Sequence, residues 1–594
     1  MELPDEPPAR DDQHPPRRRP ARSRRALVGW ALVALGLAAV VLVVWGGLSA
    51  LSVRTHASAA AEHVGAAQDA LDAEDLDATG SAVRAASRET RQAAGAADAL
   101  PLRLAALLPG RAGDLVADVR TVVGATDLAV SRGAVPLVGV VSGVQDPSGL
   151  LREDGSIDLD QLEAAAEEVR PAAAALEQAQ ARLDGVDAES LPGPLRDPVR
   201  SAQEGVRALA ARASGASAGL SVMPAALGAE GPRSYLVVFQ NPAEVRPTGG
   251  IVGTWAMVTA EDGRTRLDAT GSNDDLERLA GRAVRDLGPE YAALYPPEQV
   301  AYSQNVNLSP HFPDAGLLLS DLWVGQGRPA PDGVIAVDPQ GMAPLLEGAG
   351  EVAVPGGPSV SADTVVDVIL RVAYEDFAGD NTGRSTYLST LVGTAFAQAL
   401  GGGALEPQTL RGLLSASEAG HVLVWSAHEE EQAALERAQL AGALPEPAVE
   451  RAGVYLTNVA ASKLDYYLTS AVTTSGGCDG APPSLALRLG STAPERVPRY
   501  VANKRPGADP TTESLLVALY LPPERGVAQV LVDGQPVALS TGTERGWSVA
   551  RFTVDVPRDR EVAVDVGLTG AAAPITDVFH QALVRPMEVS APGC

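Results

Sequence analysis

The residues best suited to chemistry lie in one short stretch, Asn241-Pro-Ala-Glu244-Val-Arg246-Pro-Thr248-Gly249-Gly250. It follows Tyr235-Leu236-Val237-Val238-Phe239, a continuous apolar run of the kind that forms a strand buried on both faces. Open α/β sheets place ligands just beyond such strand ends. Glu244 and Arg246, two residues apart, would project the same way from an extended backbone. Pro242 and Pro247 stiffen the loop, while Gly249 and Gly250 permit positive φ or close backbone approach. Two readings follow. Arg246 forks onto the phosphate or carboxylate of an anionic or sugar ligand, or it pairs with Glu244 and buttresses the loop. Other catalytic signatures are missing: there is no Walker loop, paired CxxC or HExxH. Gly215–Gly219 matches GxSxG, but it lies in Ala-rich helical sequence without a preceding strand. The seven histidines are too dispersed for metal-ligand spacing.

The elements that must position this stretch change texture along the chain. Residues 1–25, rich in Pro, Arg and Asp, are expected to form a disordered, basic cytoplasmic tail. Ala26 to Val53 is a run of 28 residues without a charge, directly behind Arg17, Arg18, Arg19, Arg22, Arg24 and Arg25. About 20 apolar residues cross a bilayer as a helix. The positive-inside bias then leaves about 540 residues on the extracytoplasmic side. The competing reading is a signal peptide cleaved near Ala57-Ser58-Ala59, although a signal core runs only about 7–15 residues. Residues 54–229 read as an Ala-rich helical stalk with a coiled-coil seam at Leu159, Leu162, Ala166, Val169, Ala173, Leu176 and Leu183. Asp158 and Gln161 form its capping signal, and Pro171 is expected to kink or split it. Residues 230–478 read as a layered α/β domain, to which His421–Trp425 and Val454–Leu456 add strands. Residues 479–594 read as an immunoglobulin-like β-sandwich, with an Asp533-Gly534 hairpin signal.

The formal charge of −27 argues against binding nucleic acid or broad anionic surfaces, so any anionic ligand needs a local site. Cys478 and Cys594 would lie where disulfides persist; they are either one bridge or two separate thiols. Lysine occurs only at Lys463 and Lys504, a bias that looks like GC-rich coding and carries little physical meaning by itself.

Several separated motifs share a pattern: Arg233-Ser-Tyr-Leu236 with Asn241–Gly253; Gly271-Ser-Asn273-Asp274-Asp275-Leu276; Asn305-Val-Asn307-Leu-Ser309-Pro310; Asp332–Asp338; and Lys463-Leu-Asp465-Tyr466-Tyr467. They resemble domain of unknown function 4012, a bacterial family of membrane-anchored extracytoplasmic proteins. The resemblance implies location and architecture, not a reaction. The order also resembles, more faintly, the LytR-CpsA-Psr family, which attaches polyprenyl-linked glycopolymers to the cell wall. That second resemblance would give Arg246, Arg371 and Arg384 to a pyrophosphate, and Asp274, Asp275 or Asp380 to a divalent cation such as magnesium. This sequence departs from it at Thr248, at Asn273-Asp274 and at Tyr387-Leu388, which leaves fewer arginines for the phosphates.

The expected function is a single-pass envelope protein that binds or helps assemble an envelope glycopolymer or lipid-linked intermediate. Its ligand-binding candidates are Asn241, Glu244, Arg246, Thr248, Gly249, Gly250, Asn273, Asp274, Arg371 and Arg384. The alternatives are a metal-dependent glycopolymer phosphotransferase and a non-catalytic spacer.

Overall fold

The computed structural model describes residues 24–73, 75–143, 152, 154, 156–276, 285–398, 407–478 and 480–593, with side chains from Trp45 onward. Residues 1–23 of the expected cytoplasmic tail and Cys594 lie outside the described residues, whereas Arg24 and Arg25, expected in the tail, open the first helix. The chain forms a helical N-terminal region followed by three mixed β-sheets. It divides into two compact units, residues 1–135 with 178–206, and residues 136–177 with 207–594.

In the first unit, α1 (Arg24–Asp72) turns back into α2 (Leu76–Ala97), capped by the Asp75 side chain on Ala78 N–H. The short α3 (Leu100–Ala105) leads to α4 (Arg111–Leu128) through Gly110 at φ +90. Buried Ala86, Ala93, Ala97, Ala125 and Ala129 let these helices approach closely. Cross-helix polar contacts add specificity, among them His56–Glu89 at 2.7 Å and Thr90–Asp127 at 3.0 Å. The stretch Arg111–Val140, which runs through a π-helical turn into α5 (Val135–Gly143), is long and apolar enough to cross a membrane by length and composition.

Helix α6 (Leu159–Asp184) buries Leu162, Ala166, Val169, Ala173, Leu176 and Leu183 of the expected seam. Asp158 caps it by accepting from Asp160 and Gln161 N–H. Pro171 does not split it, since helix continues on both sides. A proline removes one hydrogen bond, which a well-packed face can offset. Helix α7 (Gly193–Ala226) contains the GxSxG match in its interior, so no nucleophile elbow exists there.

The first sheet has the order β3-β2-β1-β4-β5, formed by β1 (Arg233–Arg246), β2 (Gly249–Glu261), β3 (Arg264–Ser272), β4 (Gly333–Val337) and β5 (Val422–Ser426). Only β1 and β4 pair in parallel. The apolar run on β1 is explained by cover on both faces. Leu236 and Val238 pack with Leu318, Leu319 and Leu322 of helix Phe312–Gly325, while Val237 and Phe239 pack with Met342 and Leu346 of helix Pro339–Ala349.

Strand β6 (Arg451–Asn458), expected on this sheet through Val454–Leu456, pairs elsewhere. It lies between β9 (Glu513–Leu521) and β15 (Asp577–Phe579) in the sheet β12-β13-β9-β6-β15, with β12 (Ser540–Glu544) and β13 (Trp547–Val556) beyond. The reason is again two-sided burial. Val454, Leu456, Val517 and Leu519 enter one core, while Tyr455, Tyr520 and Trp547 enter the core of the first sheet. A continuous apolar strand fits either sheet, so the pattern alone does not choose between them. The third sheet has the order β11-β10-β14-β8-β7-β16: β7 (Leu468–Ser475), β8 (Ser484–Ser491), β10 (Arg525–Val532), β11 (Gln535–Pro536), β14 (Glu561–Gly570) and β16 (Glu588–Ser590). Asp533 and Gly534 join β10 to β11 at φ 48 and 75, as a two-residue hairpin requires. Cys478 is disulfide-bonded; the chain's other cysteine, Cys594, lies outside the described residues.

Candidate functional site

The stretch Asn241–Gly250, expected as a polar loop, is instead the buried end of the β1–β2 hairpin, with Pro247 and Thr248 as its turn. Its register slips between Asn241↔Ile251 and Val245↔Gly250, so Pro242, Ala243 and Glu244 form an oversized bulge. Bulge and glycine explain each other. A Cβ on Gly250 would sit 2.2 Å from the Asn241 carbonyl carbon, and Gly249 holds φ +122.

Distant motifs supply partners for the hairpin's polar groups. Asn307, fully buried, donates through Nδ2 to Thr248 Oγ1 and to the Gly250 carbonyl, both at 2.9 Å. Asp465 Oδ2 accepts from Val245 N–H at 2.8 Å and from Asn458 Nδ2 at 2.7 Å. Replacing Asn307 by alanine should therefore cost about 1–3 kcal/mol, the usual effect of orphaning buried partners. A urea titration checks this; a midpoint equal to that of the unmodified chain would show that the contacts are dispensable.

The charges form a buried chain. Glu244 Oε2 meets Lys463 Nζ at 2.6 Å and Glu244 Oε1 meets Arg246 Nη2 at 3.3 Å. The other Arg246 donors face the carbonyls of Val245, Gln304 and Asn458. Burial would raise the Glu244 pKa, but Lys463 and Arg246 outweigh it and hold the carboxyl below its ordinary value. Burial likewise opposes the Lys463 charge, and Glu244 reverses that, so the ammonium is held above its ordinary value. Arg246 thus matches the buttressing reading.

Further out the composition changes. Asn241 Nδ2 donates to the Tyr374 hydroxyl at 2.9 Å, and Tyr374 stacks on Tyr500 with ring centroids 5.8 Å apart. The buried Arg384 guanidinium lies 4.7 Å from the Tyr374 centroid and 3.8 Å from that of Tyr500. Lys504 Nζ lies 4.4 Å from the Tyr500 ring. Arg384 donates to Asn381 Oδ1 at 3.0 Å; among the described residues neither it nor Lys504 has a carboxylate partner. Lys504 is an exposed residue whose pKa is nonetheless lowered, first by desolvation of its ammonium and then by Lys463 and Arg384, against an opposing pull from Glu244. Glu244 therefore feels three cations, Lys463, Arg246 and Lys504, with the buried Asp465 carboxyl in reach of the same group, on a strongly acidic chain.

Residues 230–374 match the family model described as Protein of unknown function (DUF4012). The chain carries a DUF4012 domain. No curated protein and no solved structure matches the chain, and the LytR-CpsA-Psr resemblance is not shown. The matched segment contains the whole β1–β2 hairpin, whereas Arg384, Lys463, Asp465 and Lys504 come from beyond it.

The remaining expected residues are committed locally. Arg371 pairs with Asp367 at 2.6 Å and Glu375 at 2.7 Å. Asn273 donates to the Val252 carbonyl, Asp275 accepts from Ser272 N–H, and Asp380 caps helix Asn381–Gln398 through Gly383 N–H. Asp274 is exposed on a 3₁₀ turn. Among the described residues, Asp274, Asp275 and Asp380 join no group of three or more metal-capable side chains. A pocket of about 220 Å³ opens beside Arg246, lined by Pro247, Leu294, Tyr455, Leu516 and Arg551. Sequence reading missed Lys463 and Lys504 as site residues. The available signal was that the chain's only two lysines stand against its arginine bias.

Proposed function

We propose that this is a membrane-anchored, extracytoplasmic envelope protein that holds an anionic envelope glycan or lipid-linked intermediate at the cations beside its β1–β2 hairpin. The observation that carries the ligand reading is the placement of Arg384 and Lys504 over Tyr500, without a carboxylate partner among the described residues. Guanidinium and ammonium donors suit phosphate or carboxylate oxygens, and Tyr500, at 36% exposure, keeps this cluster open to solvent. The oxidised state of Cys478 supports an oxidising compartment. For the anchor, α1 is favoured over Arg111–Val140, because Ala26–Val53 has no charge whereas α4 carries Asp114, Asp118, Arg120 and Asp127. We read the two C-terminal sheets as a layered sandwich that docks a partner or the wall.

Farnesyl pyrophosphate titrated into the full chain in nanodiscs, followed by calorimetry, tests the reading. Lys504→Gln should weaken binding at least about tenfold, equivalent to about 1.4 kcal/mol. Arg371→Gln, at an arginine already spent on carboxylates, should leave binding unchanged. Lys504 is exposed, so its variant should fold. Equal affinity of Lys504→Gln and the unmodified chain, or no binding by either, would remove the ligand assignment.

A further inference from the structure

Most exposed large apolar side chains of the first unit gather in one place, with Val64 and Leu71 further along α1. Leu100, Leu104, Leu107 and Leu108 are 50%, 46%, 79% and 57% exposed, all in or just after α3. Beside them on α1 stand Trp45 and Leu48, 46% and 61% exposed. The contact is close: a Cβ on Gly46 would lie 3.3 Å from the Pro101 Cβ. The tip of the α2–α3–α4 turn therefore sits level with Gly46, inside the uncharged run Ala26–Val53. At 1.5 Å per residue, Gly46 lies about 10 Å along the helix from Val53.

That depth locates the tip. Twenty-eight uncharged residues exceed the roughly 20 needed to span the hydrocarbon, so about eight remain for the interface. Residues 46–53 fill this share, and α3 lies alongside them. The charges agree. Residues 99–113 contain Arg103 and Arg111, both exposed, and no acid; of the flanking acids, Asp98 is paired with Arg120 and Asp114 is exposed. Leucines flanked by arginines are the composition of a segment that seats at the boundary of acyl chains and anionic headgroups. Four exposed leucines on a tip with two cations have no comparable reason to face water.

We propose that α3 and the Leu107-Leu108 turn insert into the extracytoplasmic leaflet as a second membrane contact, fixing the first unit against the bilayer. The proposal rests on α1 as the anchor. It is tested on the full chain in phosphatidylcholine–phosphatidylglycerol vesicles with brominated acyl chains, using Leu107→Trp. Leu107 is so exposed that the change should not disturb folding. The emission that the new tryptophan adds over the unmodified chain should be blue-shifted and quenched by the brominated lipid. Added emission that resembles water and is quenched by aqueous iodide would overturn the insertion while leaving the anchor standing. Release of the unmodified chain from membranes by alkaline carbonate would instead overturn the anchor, and the insertion with it.

Discussion

Replacing Lys463 with methionine is expected to destabilise the chain by about 3–5 kcal/mol, the range for removing one partner of a buried ion pair. The ammonium is 2.6 Å from Glu244, and both side chains are buried. Methionine matches the stem of lysine, so the change removes charge more than volume. Glu244 would retain Arg246 at 3.3 Å, but that guanidinium already serves three carbonyls. The bulge that carries Glu244 is also the segment whose Val245 N–H reaches Asp465, so strain would spread to the hairpin. Chemical denaturation measures the loss. The double variant Glu244→Gln with Lys463→Met should cost clearly less than the sum of the single changes, because it leaves no orphaned charge. A single-variant loss below about 1 kcal/mol would place the pair among ordinary surface bridges.

The same pair shows what the sequence disclosed and what it withheld. The apolar run Tyr235–Phe239 announced a strand covered on both faces, and the structure covers it so. Asp533-Gly534 announced a hairpin because its backbone demand is local. The Asn241–Gly250 stretch was misread because polar residues with prolines and glycines ordinarily mean a solvated loop. Here each polar group finds a partner from far along the chain: Asn307 for Thr248, Lys463 for Glu244, Asp465 for Val245. Such long-range pairing has no periodicity and leaves no local mark. Strand β6 failed for a related reason, since burial on both faces erases the alternation that would have assigned its sheet. The motifs quoted for the resemblance include the residues that meet at this hairpin. Those residues lock the hairpin, and Arg384 and Lys504, without carboxylate partners among the described residues, belong to none of the motifs.

Asp465→Asn is expected to gain stability relative to the unmodified chain as pH rises, by about 3 kcal/mol between pH 4 and pH 7. Burial pushes the Asp465 carboxyl from an ordinary 3.8 up to about 7, against the opposing hydrogen bonds from Val245 and Asn458. Its Oδ1 has no partner among the described residues. Glu513 is buried nearby in electrostatic reach and is also raised well above its ordinary value, first by burial and then by Asp465. The Ser491 hydroxyl relieves Glu513 only in part, since neither carboxyl oxygen meets hydrogen-bond geometry. The sign follows from proton counts. Between 3.8 and about 7 the folded chain keeps the Asp465 proton while the unfolded chain has lost it, so this group's contribution falls as pH rises. Asparagine stays neutral, keeps an oxygen for the two donors, and so escapes the fall. The absolute slope of the unmodified chain is a poor readout. Burial, with Arg545 adding to it, depresses His311 to about 3, which makes stability rise with pH over much the same window. The difference between variant and unmodified chain cancels His311, because both carry it. Urea unfolding at pH 4, 5, 6 and 7 supplies that difference, and a constant value across the four would mean that Asp465 is ionised in the folded chain throughout.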